Sequence, residues 1–230
     1  MPENTIALEL IKQSNTPIVA PSANISGSPS GTNIEDIKEE LDGKVDAMID
    51  GGDTQIGIES TVVKVIGNVP TILRPGKVTK EDIIKAVGVC NIAKNVMEQV
   101  KQNEKAESPG MKYKHYAPKT KCVLVCGDEE KQISKVNELI KEQEKENKKV
   151  CVIGYTEHKD KINVNTFLSM GSIKSFEEIS HNIFMILRKA DKKNVDIIII
   201  EGMKKEGLKL AIFNRLIKTC EYNVYNDEEV

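Results

Sequence analysis

The 230-residue chain has no tryptophan, and aromatic residues make up only 4% of it. A core must therefore be built from Ile, Val, Leu and Ala. No apolar run approaches the roughly 20 residues that a membrane helix needs. The amino-terminal residues carry an acid and no basic segment before their apolar residues, a pattern unlike a secretion signal. These absences predict a cytoplasmic protein with no membrane contact.

The chain also lacks a charge bias and a cysteine framework. Its 33 basic and 35 acidic residues give a net charge of −2, which favours neither nucleic acid nor a membrane surface. The five cysteines are an odd number without CxxC spacing, so we expect reduced core thiols rather than disulfides or a metal site. No Ser–His–Asp, Cys–His or metal-ligand pattern is evident. Any chemistry would then depend on positioning and electrostatics.

The pattern of apolar residues divides the chain into three parts. Residues 120–230 alternate helices with three predicted strands, "KCVLVC", "KVCVIGY" and the fully buried "VDIIIIEG", which predicts a small Rossmann-like domain with a parallel sheet covered on both faces. Only one glycine follows the first strand of that domain, so the GxGxxG signature of dinucleotide binding is absent. Residues 89–119 are polar and lack a sustained period, as in an interdomain linker.

Residues 1–88 predict a mixed α/β unit of a less regular kind. A capping box of Thr32 with Glu35 predicts one helix start, and Thr79 with Asp82 predicts a helix over 80–87. Four β-rich runs interrupt the helices, and they look like one side of a mixed sheet that lacks partners. These runs are "TPIVAP", "VDAMIDGG", "ESTVVKVIG" and "PTILRPG".

The loop "APSANISGSPSG" that follows the first of these runs has two interpretations. Ser22 and Asn24 stand at alternate positions, where a hydroxyl and an amide could face one ligand. Gly27 and Gly31 allow backbone N–H groups to approach closely, as phosphate binding requires. The alternative is an idle surface loop, since loops of this composition mostly carry no ligand.

Two further segments carry polar side chains. Arg74 lies before a rigid Pro-Gly, a setting suited to a fork contact with phosphate or carboxylate, or to a surface ion pair. The linker run "KYKHY" alternates Lys with aromatic rings and contains His115, the one histidine suited to a site. It could cover a nucleotide or be a solvated linker; RNA binding is the weakest interpretation.

Taken in order, "PIVAPSANISGSPSGT", "GIESTVVKV", "ILRPGKVTKEDI" and "SPGMKYKHYAPK" resemble the long, two-domain form of the YrdC-like threonylcarbamoyl-AMP synthases. The resemblance covers nearly the whole chain. It implies a nucleotidyltransferase that joins L-threonine, bicarbonate and ATP and releases pyrophosphate, with Mg²⁺ on the ATP phosphates. The product would serve the t6A modification of tRNA, with other proteins transferring the group.

The resemblance also implies roles for individual residues. Ala20 and Ser60 would line the L-threonine pocket, and Arg74 would bind the nucleotide phosphates. Tyr113 or Tyr116 would contact the nucleotide as the linker closes over the site. The remaining residues on the ATP side would be Ser22, Asn24 and Ser30.

The chain departs from the family at its amino-terminal side. Members carry a Pro-Thr-(Asp/Glu)-Thr stretch and a Lys-x-Arg pair that supply much of the site, and neither occurs here. We therefore expect the C-terminal half of a catalytic domain, a linker and a complete second domain, with little activity alone. The alternative is a non-catalytic module that binds nucleotide or a protein partner.

Overall fold

The structure, a computed structural model, describes residues 2–96, 98 and 118–225. In the first unit a three-stranded sheet has the order β1-β2-β3. Strands β1 and β2 lie within two of the predicted β-rich runs and form an antiparallel hairpin, and β3 pairs with β2 in parallel. The elements of this unit are α1 (Thr5–Ser14), α2 (Ile34–Leu41), β1 (Val62–Ile66), β2 (Val69–Arg74), α3 (Lys80–Val87) and β3 (Asn91–Ile92).

Because β3 pairs with β2, the first sheet continues beyond residue 88, where the sequence places the start of the linker. A short 3₁₀ turn, Lys94–Val96, follows β3, and the side chain of Val96 is buried. Asn214 of the second unit donates its side-chain N–H to the carbonyl of Val96. Val96, at the end of this turn, therefore contacts the second unit.

The two predicted capping boxes have different outcomes. At α3 both bonds of the Thr79–Asp82 box are present, and the helix spans the predicted residues. At α2 the predicted Thr32 cap is wrong, because Asn33 caps the helix by accepting the N–H of Asp36 at 2.8 Å. Thr32 is buried instead, and its carbonyl accepts the N–H of Thr54 at 2.9 Å.

Two predicted strands, over 16–21 and 45–52, are absent. A strand is held by ladder hydrogen bonds, and within the described ranges no neighbouring strand supplies them to these residues. Their apolar side chains lie open to solvent: Val19 is 95% exposed and Ile49 is 59% exposed. β-rich composition alone therefore did not produce strands here.

The second unit has the predicted fold, a parallel sheet of five strands in the order β6-β5-β7-β4-β8. The sequence predicts three of these strands and misses β6 and β8. The elements are β4 (Lys121–Val125), α4 (Glu129–Lys145), β5 (Val150–Tyr155), β6 (Thr166–Gly171), α5 (Phe176–Asp191), β7 (Ile197–Glu201), α6 (Gly207–Thr219) and β8 (Val224–Tyr225).

Apolar cores cover both faces of this sheet. Helices α5 and α6 contribute Ile183, Phe184 and Phe213 to the larger core, and α4 contributes Val136 and Ile140 to the smaller one. All five cysteines are buried and free, as predicted. Among the helices in the described ranges, none combines the length and apolar character that a membrane crossing requires.

Candidate functional site

The segment just before β1 lies directly against the second unit. Ile58 is part of the larger core of that unit, and Ile56 packs against it. Gly57 lies between them, where a side-chain carbon would clash with the backbone carbonyls of Ser180 and His181 on α5. The absence of a side chain at Gly57 thus lets the first unit approach α5 closely.

Arg215 of α6 joins the two units at this contact, and its side chain is fully buried. Its Nε lies 3.0 Å from the carboxylate Oε2 of Glu59. Its Nη2 donates to the carbonyl of Glu59 at 3.2 Å, and its Nη1 donates to the carbonyl of Pro75 at 2.6 Å. One guanidinium therefore holds the segment before β1 and the segment after β2.

Glu59 is ionised in this setting. Burial by itself raises the pKa of its carboxyl, but the charge of Arg215, backbone hydrogen bonding and the charge of Arg74 together lower that pKa below its usual range. The carboxylate also accepts a hydrogen bond from the Ser30 hydroxyl at 3.2 Å. Glu59 thereby connects the Ser/Gly loop of residues 20–31 to the second unit.

Arg74 and Ser60, the predicted phosphate and threonine residues, lie side by side. The Nε and Nη2 atoms of Arg74 donate to the Ser60 carbonyl at 3.1 and 3.0 Å. Arg74 is half-buried and the Ser60 side chain is exposed. The Ser60 carbonyl thus holds the Arg74 guanidinium at the end of β2, beside the exposed side chain of Ser60.

The Ser/Gly loop is closed by Asn24 rather than left open. Its side-chain N–H groups donate to the carbonyls of Ile25 and Ser28 at 2.9 and 3.2 Å. Its Oδ1 accepts the Ser30 hydroxyl at 3.4 Å. The amide that the sequence presents as a ligand contact therefore shapes the loop.

A second arginine, Arg188 of α5, holds the same loop from another side. It donates to the carbonyl of Pro29 and lies 2.5 Å from the Glu40 carboxylate of α2. Glu40 in turn accepts the backbone N–H of Ile25 at 2.6 Å. The second unit thus fixes the loop through Arg188 and Glu40 at one end and through Arg215 and Glu59 at the other.

The other predicted site residues are not brought into this cluster. Ala20 and Ser22 are exposed, and the described contacts of Ser22 are limited to its carbonyl, which accepts the N–H of Asn24 at 3.0 Å. Tyr113 and Tyr116 lie outside the described residues. The structure therefore gathers Asn24, Ser30, Ser60 and Arg74.

Sequence analysis missed the cations that the second unit supplies, Arg215 and Lys218. Burial, Arg215 and Arg74 lower the pKa of Lys218 to about 8, while Glu59 opposes that shift. A sequence signal existed for Arg215, because it is a charge inside the apolar run "LKLAIFNRLIK". A charge in such a run must be paired where it is buried, and that pairing marks an interface.

Magnesium does not fit these side chains as a protein-bound ion. Mg²⁺ prefers carboxylate and water oxygens in octahedral geometry. Glu59 is the acid beside Arg74, and its oxygens are engaged by Arg215 and Ser30. Within the described ranges no group of three acidic, His or Cys residues could hold a metal ion.

A separate polar cluster lies at the carboxyl end of the second sheet. His158 is buried, and its Nδ1 lies 2.7 Å from the buried carboxylate of Glu201. That hydrogen bond raises the pKa of His158, burial opposes the rise, and the charges of Glu201 and Glu129 support it. Glu201 also accepts the N–H of Tyr155 at 2.9 Å. The His158–Glu201 pair therefore makes its hydrogen bonds within the second unit, as expected for a structural pair.

Comparison with protein families matches both parts of the chain. Residues 78–220 match the family described as "Threonylcarbamoyl-AMP synthase, C-terminal domain". Residues 1–76 match the family described as "Telomere recombination". The boundary between the two matches falls just after the Pro75 carbonyl that Arg215 binds.

Individual relatives agree with these matches. The threonylcarbamoyl-AMP synthase of Pyrococcus abyssi is 42% identical over 224 residues, 97% of this chain and 64% of the relative. That of Bacillus subtilis is 39% identical over 220 residues, 96% of this chain and 62% of the relative. A crystal structure of P. abyssi Sua5 with L-threonine superposes with a TM-score of 0.88 at 42% identity, covering 97% of this chain and 64% of that one. The chain thus spans somewhat under two thirds of these relatives.

Proposed function

The chain belongs to the threonylcarbamoyl-AMP synthase family, and on that premise we propose that its site serves the synthesis of threonylcarbamoyl-AMP from L-threonine, bicarbonate and ATP. This is a nucleotidyl transfer that releases pyrophosphate, in the pathway to t6A in tRNA. The observation that carries the proposal is the pairing of the Arg74 fork with Ser60 beside the closed Ser/Gly loop. The likeness to the threonine-bound P. abyssi structure supports it.

The proposed roles follow from the chemistry of each group. Adenylation of a threonine-derived carbamate moves negative charge onto the departing phosphates, so a fixed guanidinium stabilises the reaction more than a mobile one. Arg74 is that guanidinium, and Ser30 and Asn24 set the shape of the loop on the ATP side. Ser60 offers its hydroxyl to threonine. The threonine pocket is proposed to include Ala20. The ATP side is proposed to include Ser22, Tyr113 and Tyr116.

Magnesium enters this proposal only as an ion carried by the ATP phosphates. L-Threonine, bicarbonate and ATP are the proposed ligands, and proteins that transfer the threonylcarbamoyl group to tRNA are the proposed partners. Direct tRNA contact is not part of the proposal.

We also propose that residues 1–230 alone turn over slowly. The chain spans 64% of the P. abyssi relative. Apolar side chains of Ile18, Val19 and Ile49 are exposed on the unit that carries the site. Surface of this kind marks a contact that another segment or protein would cover.

The decisive experiment measures pyrophosphate release from ATP together with mass-spectrometric detection of threonylcarbamoyl-AMP. Release by the full natural protein should require both L-threonine and bicarbonate. The 230-residue chain should bind ATP but release little pyrophosphate. Release by the full protein that ignores threonine would refute the synthase assignment, and binding without any turnover would favour the non-catalytic module.

A further inference from the structure

Arg215 comes from the second unit, yet its guanidinium reaches across to the unit that carries the candidate site. Its guanidinium reaches the Glu59 carboxylate at 3.0 Å, the Glu59 carbonyl at 3.2 Å and the Pro75 carbonyl at 2.6 Å. Glu59 immediately precedes Ser60, and Pro75 immediately follows Arg74. Arg215 therefore fixes the backbone next to each of the two paired site residues.

The Glu59 carboxylate poses an electrostatic problem for a site that takes ATP. It lies close enough to Arg74 for that cation to affect its pKa, and it accepts the Ser30 hydroxyl at 3.2 Å. An uncompensated carboxylate would repel phosphates and would attract the Arg74 fork toward itself. Three cations face Glu59, namely Arg215 and Lys218 from α6 and Arg74 from β2.

Of these three, Arg215 compensates Glu59 most directly. It is fully buried and forms the 3.0 Å ion pair, so solvent screens the interaction little. Arg74 instead donates two hydrogen bonds to the Ser60 carbonyl. Arg74 is thus held on the Ser60 carbonyl and not on Glu59, whose carboxylate pairs with Arg215.

We propose that Arg215 of the second unit is a positioning residue for ATP binding: it neutralises Glu59, so that this carboxylate neither repels the phosphates nor draws Arg74 away from Ser60, and it fixes the backbone next to Ser60 and Arg74. This inference rests on the proposed synthase function. The proposal gives the second unit a role in the candidate site: it supplies the buried positive charge that neutralises Glu59. A passive interdomain clamp would use the same contacts, so the test must separate charge from packing.

The test compares wild type, R215M, R215K and R215M/E59Q in the full natural protein. The KM values for ATP and for threonine are measured between pH 5.5 and pH 8 by pyrophosphate release. R215M leaves the Glu59 carboxylate without its ion pair, facing only Arg74 and Lys218, so the KM for ATP should rise on the order of tenfold at pH 8. The KM for threonine should change less. R215K should recover part of the loss.

The pH profile distinguishes a charge effect from a packing effect. Without Arg215, Glu59 gains a proton more readily, so acidification should bring the KM for ATP of R215M back toward wild type. R215M/E59Q should bind ATP better than R215M at pH 8 and should lack this recovery. R188M is the matched control: it removes the other arginine that holds the Ser/Gly loop but leaves Glu59 paired, and it should show no acid recovery.

The possible results are separable. If wild type shows no threonine-dependent release, the synthase assignment fails first. If wild type is active but R215M changes both KM values equally, without pH dependence and without rescue by E59Q, Arg215 is only a clamp and the inference is overturned. If circular dichroism shows that R215M does not fold, R215K is compared with R215K/E59Q instead. The added E59Q change should then improve ATP binding relative to R215K.

Discussion

Arg215 Nε and Glu59 Oε2 lie 3.0 Å apart, although the two residues are 156 positions apart in the sequence. The pair joins α6 of the second unit to the residue before Ser60. Because the Arg215 side chain is fully buried, removal of Glu59 would leave a buried positive charge without its ion-pair partner, and removal of Arg215 would leave Glu59 facing only Arg74 and Lys218. Both the packing of the two units and the electrostatics of the candidate site depend on this contact.

Replacement of Arg74 tests the phosphate role. Lysine keeps the positive charge but cannot form the two-pronged contact with Ser60 that Arg74 makes at 3.0 and 3.1 Å. We expect R74K to weaken ATP binding roughly tenfold and R74A to weaken it further. Isothermal titration with ATP measures both. K77A on the exposed loop beyond β2 is the matched control, and equal losses in R74K and K77A would contradict the assignment.

Gly57→Ala tests the close packing of the two units. The added methyl group would clash with the carbonyls of Ser180 and His181, which belong to the backbone of α5 and cannot move freely. We expect the free energy of unfolding to fall by about 2 kcal/mol. Urea denaturation measures it. Gly51→Ala, whose methyl group would meet only the Asn4 side chain, should change stability far less.

Lys218→Met should stabilise the protein at neutral pH. The folded pKa of Lys218 is about 8, against 10.5 for the free side chain, so the folded protein disfavours the charged form that prevails at pH 7. The expected gain is on the order of 1–2 kcal/mol after allowance for partial solvent screening.

This gain should disappear at alkaline pH. Between about pH 8 and pH 10.5 the unfolded chain holds more protons on Lys218 than the folded protein does, so wild type gains stability relative to K218M. Thermal unfolding of both proteins at pH 7 and pH 10 measures the difference. A constant difference between the two melting temperatures would show that Lys218 is not desolvated.

The contribution of His158 to the stability of the fold should have the opposite dependence on pH. Its folded pKa is raised above 6.5, first by the hydrogen bond to Glu201, so protonated His158 stabilises the fold. That contribution is fully present below pH 6.5 and is lost as pH rises through the folded pKa. The groups that face it are Glu201, Glu129 and Lys161.

We expect wild type to lose stability relative to H158Q as pH rises from 6 to 8. Urea midpoints at several pH values measure this loss. H181Q is the matched control, since His181 lies outside the Glu201 cluster, and it should follow wild type. A wild-type profile parallel to that of H158Q would exclude His158 as the titrating group.

Local signals in the sequence predicted much of the fold. The Thr79–Asp82 capping box marked the start of α3, and the apolar run that contains Ile197–Glu201 marked a buried strand. Such features depend on residues within one turn or one strand. The same reasoning placed the α2 cap at Thr32 instead of Asn33, because both residues can cap and only packing buried Thr32.

Strand pairing was less predictable. Residues 16–21 and 45–52 have β-rich composition but no partner within the described ranges, whereas β6 has a mixed sequence and pairs with β5. A strand depends on hydrogen bonds to a neighbour that the local sequence does not specify. Composition therefore predicted two strands that are absent and missed strands that are present, among them β6 and β8.

The sequence by itself determined the class of each unit, the helix starts set by local caps, and the polar residue types of the candidate site. Tertiary structure alone decided that Asn24 closes its own loop, that Arg74 is held on Ser60, and that a cation from the second unit neutralises Glu59. The physical reason is range: caps and apolar periodicity act within a few residues. The charge on Glu59 is compensated by a residue 156 positions away, which only the packing of α6 against the first unit brings into contact.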